Sequence, residues 1–326
     1  MISNTQEEIK FTNAEFGKHT LSCAVTINKI ESPKAVKRTR DDDEDEGISR
    51  PIKMPKYARL DGLGKKNRTL IMVSEYCEDI FMYLRQRERS MIPTYNYVKD
   101  EDCRFHIEAD VRSILVDWLV EVHQKFKYVQ ETLLLALAIM DRFLSQSSVS
   151  NAKLQLLAVT SLFIAAKFEE INLPRLSNYA YITDGAATAS EIRTAEAYIL
   201  KCLQFDVSMP NPLNFLASDK VTDEQVLSIA KYILEYMYCC PHFIHLKPSQ
   251  ASALALRLAQ EIASTQESPL EKVEKTIQQE YRLLKEEFVK PSTSLSALIA
   301  KYEPAGNTKS VHTRVLDWCK NHLDDP

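Results

Sequence analysis

RSILVDWLVEV, from Arg112 to Val122, carries two apolar stripes where an ordinary surface helix has one. At helical spacing Val111, Ile114, Leu115, Trp118 and Val122 share one side, while Val116, Leu119 and Val120 lie roughly opposite. Such a helix is either buried on both sides or leaves one stripe as an exposed docking patch. Arg112, Asp117 and Glu121 fall between the stripes and must meet solvent or partners. Downstream, residues 133–140 are unbroken apolar and 154–166 nearly so, which predicts two helices at the centre of a bundle. Asp141 follows the first and Lys167 the second. An unpaired buried charge costs several kcal/mol, so Arg112, Asp141, Lys167 and Glu196 are expected to share one structural charge network.

The 3.6-residue periodicity extends outward from this stretch. It predicts a leading helix closing at Arg89, a helix opening near Glu108, and helices over 131–144, 151–168 and 190–203. Val207 to Pro212 interrupts the pattern with two prolines, each disfavouring helix at its own position and the one before. Helices resume over 223–238, 249–264, 269–288, 294–302 and 310–322. Thr188 with Glu191, Thr222 with Gln225, and Ser268-Pro269 with Glu271 read as capping boxes. No period-2 strand pattern competes. The expectation is an all-α chain: a disordered tail (1–65), a leading helix with a first five-helix bundle (66–206), and a second bundle (207–326).

Composition narrows the function. With 326 residues, 26% of them charged, and a formal net charge of -4, the chain lacks the field of a protein built to grip nucleic acid or an anionic membrane. Four of its 6 glycines (Gly17, Gly47, Gly62, Gly64) precede residue 65, so no phosphate-cradling glycine loop can be written in the helical region, and nucleotide enzymes of those families are excluded. The 7 cysteines include no Cys-x-x-Cys pair and no apolar signal segment is seen, which predicts a reducing compartment. The apolar run 154–166 is shorter than the ~20 residues of a membrane span. Lys34, Lys37, Arg38 and Arg40 offer a basic nuclear-import stretch beside an acidic run, Asp41 to Glu46. Asp41-Asp42-x-x-Asp45 has the form of a metal-binding motif without an apolar helix around it and reads as solvated tail. Cys239-x-x-His242-x-x-His245 has three zinc-type ligands, but Pro241 interrupts it, and it reads as a helix end with incidental polar groups. No metal, cofactor or catalytic residue is therefore expected.

Several stretches resemble one family in order and spacing. RSILVDWLVEV looks like the opening helix of the cyclin box; DRFLS (141–145), KLQLL (153–157), AAKFEE (165–170) and YITD (181–184) resemble its next landmarks. EYCEDIFMYLRQRE (75–88) is similar to the leading helix of B-type mitotic cyclins, and KPSQASALAL (247–256) resembles the same helix position in their second box. The resemblance implies a regulatory subunit that binds and activates a cyclin-dependent protein kinase around G2 and mitosis, in nucleus and cytoplasm, without catalysis of its own. It implies kinase-facing positions at Tyr76, Tyr83, Lys167, Glu170, Ile171, Glu196, Leu200 and Phe205. It also implies a docking patch for substrates or inhibitors bearing a basic-x-hydrophobic motif at Val111, Ile114, Leu115, Trp118, Glu121, Leu154 and Gln155, with no direct contact to nucleic acid or membrane. Two features depart from the pattern. Val111 replaces the usual methionine, and Phe215-Leu216 is followed by Ala217 and Ser218 instead of the two arginines of the B-type signature. The tail has no Arg-x-x-Leu degradation element; Lys18-x-x-Leu21 is only a distant relative. Two rivals use other chemistry. A transcription factor with cyclin-like repeats would need basic helix faces, and an all-α metal enzyme would need carboxylates or histidines converging on a pocket.

Overall fold

A computed structural model describes residues 76–99, 105–218, 223–263, 275–303 and 310–323. The tail, its basic and acidic runs, Thr222 and the Ser268 box lie outside the described residues. Among the described residues there are twelve α-helices and no strand. They are α1 (Cys77–Arg87), α2 (Ala109–Phe126), α3 (Gln130–Leu144), α4 (Asn151–Glu169), α5 (Leu176–Ile182), α6 (Ala189–Cys202), α7 (Pro212–Ser218), α8 (Glu224–Cys239), α9 (Pro248–Ala263), α10 (Lys275–Val289), α11 (Ser296–Lys301) and α12 (Val311–Asn321). Residues 76–80 belong to one compact unit, and the described residues from Phe81 onward to another, larger one.

The two apolar helices form the centre of the first bundle, as their composition requires. All residues from Thr132 to Leu144 in α3 are buried, and so are those from Leu156 to Ala166 in α4. The small residues Ala136, Ala158, Ala165 and Ala166 are fully buried, and α3 packs against α4. In the second bundle α8 and α9 take the central place, with α7, α10 and α12 around them. Burial on this scale, at roughly 25 cal/mol per Å² of apolar surface, drives the fold.

Local chemistry sets the helix ends. At α6 the capping box is complete: the Thr188 side chain accepts from the Glu191 N–H at 3.2 Å, and Glu191 accepts from the Thr188 N–H at 2.9 Å. A bond from Lys153 and those from Thr188 hold the Glu191 carboxyl down at about 2. The cap of α8 is Asp223, whose carboxylate accepts the Gln225 N–H at 2.8 Å. Two helices were not expected. In α7, Pro212 occupies the first helical position, where no N–H is needed, and Asn211 accepts from the Leu213 N–H at 2.9 Å. The second proline therefore starts a helix where the sequence pattern suggested a break. The seven residues of α5 are too few to show a period and are held by the buried Tyr179 and Ile182.

Candidate partner-binding surface

The end of α4 presents the most exposed apolar side chain among the described residues. Ile171, two residues beyond the helix, is 96% exposed, with Phe168 and Leu173 also exposed on either side of it in the chain. Tyr83, Arg87, Phe168, Glu169 and Met209 line one open groove. Phe205, 67% exposed, follows α6. It and Gln204 take φ values of 57° and 53°, the left-handed conformation in which helices commonly end, and the Phe205 N–H closes α6 by donating to the Leu200 carbonyl at 2.7 Å.

Lys167 Nζ donates to Glu196 Oε1 at 2.6 Å and lies 4.4 Å from the centre of the Phe163 ring. The ammonium remains partly open to solvent while the Glu196 side chain is largely covered, so the pair adds little to the fold, ~0–1 kcal/mol, and leaves lysine N–H groups for another partner. Glu170 is engaged inside the protein. Its carboxylate accepts from the orphan Val129 N–H at the start of α3 at 2.8 Å and from the Thr132 hydroxyl at 2.7 Å. Leu200 is half-buried against the core, and Tyr76 is exposed in the unit that holds residues 76–80.

The single charge network expected from the sequence is two separate groups. Lys167 and Glu196 join α4 to α6, whereas Arg112 and Asp141 meet where α2 and α3 face the second bundle. Arg112 is 1% exposed. It donates through Nη2 to Asp141 Oδ2 at 2.8 Å, and through Nε to Tyr97 Oη at 2.9 Å and Asp141 Oδ1 at 3.1 Å. Nη1 and Nη2 then reach the carbonyls of Cys239 at 2.7 Å and Tyr238 at 3.2 Å, at the C-terminal end of α8. A cation at that end satisfies orphan carbonyls and matches the helix dipole. Burial opposes the charged guanidinium, but Asp141 and Tyr97 outweigh it and raise its pKa above the ordinary arginine value. Burial, followed by the Asp141 charge, pushes the Tyr97 phenol well up. The periodicity could rank these charges by helix, but not by distance across the bundle.

Of the predicted docking stripe, Val111, Ile114, Trp118 and Glu121 line one side of α2 at three- and four-residue spacing, Ile114 being 45% exposed. Gln155 is partly exposed on α4, which packs against α2. Leu115, Val122 and Leu154 are buried, so these three form the floor beneath the stripe instead of its surface. Burial, then Asp117, raises the Glu121 carboxyl somewhat. Asp117 itself is turned toward the second bundle. It accepts from Ala297 N–H at 2.8 Å and Ser296 Oγ at 2.6 Å, capping α11 from across the boundary.

Comparison with known sequences now identifies the architecture. Residues 79–208 match the cyclin N-terminal domain and 210–315 the cyclin C-terminal domain. The chain belongs to the cyclin family. It is 40% identical over 283 residues to "S-phase entry cyclin-6" of Saccharomyces cerevisiae, covering 82% of this chain and 74% of that one. It is 45% identical over 192 residues to "G2/mitotic-specific cyclin CLB2" of Candida albicans, covering 58% of this chain and 38% of the relative. A solved viral cyclin from herpesvirus saimiri aligns with a TM-score of 0.51 at 18% identity, over 76% of this chain and 97% of its own, a likeness of fold.

Two ties at the end of α1, one within the first cyclin box and one to the second, have no counterpart in the sequence reading. Arg87, at the end of α1, pairs with Asp206 at the end of the first box. Its neighbour Glu88, buried at 4% exposure, accepts from Ser249 N–H at 2.9 Å and Oγ at 2.7 Å at the start of α9 in the second. Adjacent opposite charges at a helix end were the available signal. Their partners lie 119 and 161 residues away, beyond any spacing rule.

Proposed function

We propose that this cyclin is the regulatory subunit of a cyclin-dependent serine/threonine protein kinase, acts around G2 and mitosis in nucleus and cytoplasm, and has no catalysis of its own. The observation that carries the reading is the apolar face at the end of α4. A fully exposed isoleucine, with Phe168, Phe205 and Tyr83 also exposed, suits a partner that removes it from water. The half-open Lys167–Glu196 pair supplies a charged anchor beside it, with the lysine on the last turn of α4 and the glutamate on α6. A rigid helical body can activate a kinase by binding only the conformation whose mobile helix and activation segment are aligned. Nucleotide, metal and catalytic base then belong to the kinase. The second surface, Ile114, Trp118 and Glu121, fits a ligand with a basic residue beside an apolar one. Similarity of EYCEDIFMYLRQRE to mitotic leading helices favours the G2 and mitotic assignment.

The test is reconstitution of purified chain with candidate kinases in a phosphate-transfer assay. Ile171→Asp and Lys167→Ala should each leave the fold intact, because both side chains are exposed, while raising the concentration needed for half-maximal activation about thirtyfold, which is ~2 kcal/mol. Unchanged half-maximal concentrations in both variants would remove this face from the interface. Kinase activity recovered with the chain from synchronised cells reports the phase, and a peak at S phase would overturn the mitotic assignment.

A further inference from the structure

A cluster in the second box takes no part in the surfaces above. Beyond α8 the chain passes Cys240 into a single 3-10 turn, Pro241–Phe243, that lies against the end of α10. The Cys240 sulfur, His242 Nδ1 and a Glu287 carboxylate oxygen all lie within 4.8 Å of one another. Sulfur and nitrogen are 3.8 Å apart, and Nδ1 and Oε2 3.1 Å. With zinc bonds of ~2.3 Å to sulfur and ~2.0–2.2 Å to nitrogen and oxygen, tetrahedral geometry requires ligand atoms about 3.3–3.6 Å apart. The sulfur–nitrogen and nitrogen–oxygen separations are within about 0.2 Å of that range, and the sulfur and carboxylate oxygen, within 4.8 Å of each other, draw together on binding.

The surroundings also suit a cation. The second carboxylate oxygen of Glu287 accepts from Ser292 N–H at 2.7 Å and Oγ at 2.6 Å, which orients the group and leaves Oε2 facing the imidazole. Outer hydrogen bonds of this kind fix ligating carboxylates in metal sites. Cys240 and Glu287 are buried, whereas His242 is one-third exposed and opens the cluster to solvent. The sequence motif named Cys239, His242 and His245. In the structure Cys239 gives its carbonyl to Arg112, and His245 pairs with Glu280 at 3.1 Å. Cys240 and the distant Glu287 take their places.

We infer that Cys240, His242 and Glu287 bind one Zn²⁺, with a water in the fourth position. On binding, the Cys240 thiol releases its proton to solvent, and the His242 imidazole carries its single proton on Nε2 while Nδ1 faces the metal. The ion staples the α8 end to α10, stabilising the folded box by mass action.

The experiment uses the purified full chain, stripped with a chelator. Equilibrium dialysis with Zn²⁺ should give one ion per chain, and Co²⁺ should give a thiolate charge-transfer absorption that Zn²⁺ abolishes. Cys240→Ser should lose that absorption. His242→Ala, which removes the most exposed ligand, should bind Zn²⁺ about tenfold or more weakly, while His245→Ala binds it as the wild type does. The absence of stoichiometric Zn²⁺, unchanged affinity in His242→Ala, or persistence of the absorption in Cys240→Ser would overturn the assignment.

Discussion

Replacing Arg112 with alanine removes a guanidinium that meets Asp141, Tyr97 and two carbonyls of α8. The Asp141 carboxylate, 5% exposed, then keeps the Tyr97 hydroxyl at 2.5 Å as its remaining side-chain donor among these groups. The carbonyls of Cys239 and Tyr238 lose their cation. Breaking a buried pair from one side costs about 3–5 kcal/mol, because the other charge stays behind uncompensated. At ~2–4 °C per kcal/mol for a domain of this size, the melting temperature should fall by ~6–20 °C. Urea unfolding followed by circular dichroism gives the free energy directly. The cycle with Asp141→Ala should be non-additive by more than ~1 kcal/mol, since each single variant strands the other's charge. A loss below ~1 kcal/mol for Arg112→Ala, or simple addition of the two single costs, would refute the view that this pair locks the boxes together.

Two further outcomes follow from the geometry. Trp118→Ala should weaken binding of a basic-x-hydrophobic docking peptide by ~2 kcal/mol, about thirtyfold, while kinase binding stays at the wild-type level; early melting with unchanged affinity per folded molecule would assign Trp118 to the core alone. His123 is buried, and burial, aided by the Lys301 charge, depresses its pKa to about 4. The unfolded chain binds this proton near pH 6.5, so the stability from keeping the ring neutral is complete above pH 6.5 and is lost as pH falls toward 4. Between pH 7 and 5 that is ~2 kcal/mol. His123→Gln should flatten the dependence in urea titrations at the two pH values, and an equally steep fall in the variant would attribute it to other groups.

The helices were legible because burial on all sides leaves a compositional trace. Leu133 to Met140 announces a central helix without reference to anything distant, and Thr188 with Glu191, three residues apart, announces the start of α6. The exposed half of the α2 stripe was readable because the helix carries more apolar residues than one core face uses. What was not legible depends on the third dimension. Leu115 shares the stripe's spacing and Leu154 lies on the neighbouring α4, yet both are buried in this bundle, where α2 packs against α4. Arg112 and Lys167 both sit at junctions of charge and apolar helix, and only the packing shows that they serve different ones. A shift of one residue at the α8 end exchanges Cys239 for Cys240, because Cys239 is the last helical residue and the chain turns to extended backbone at Cys240, with φ −80° and ψ 131°. Pro212 looks identical in a break and at a helix start.

The reach of Arg112 has a bearing on biosynthesis. Its carbonyl acceptor at Cys239 is made 127 residues later. At ~5–20 residues per second a first box that ends near Asp206 waits roughly 2–7 s for the group that completes its interior. During that interval the ribosome-bound chain contains a buried arginine whose donors are only partly matched, beside a helix surface still lacking α8 and α11. Translation speed through the second box therefore sets how long an incompletely satisfied first box is available to chaperones and proteases. Synonymous slowing of codons between the two boxes would lengthen that exposure without altering a residue of the finished protein.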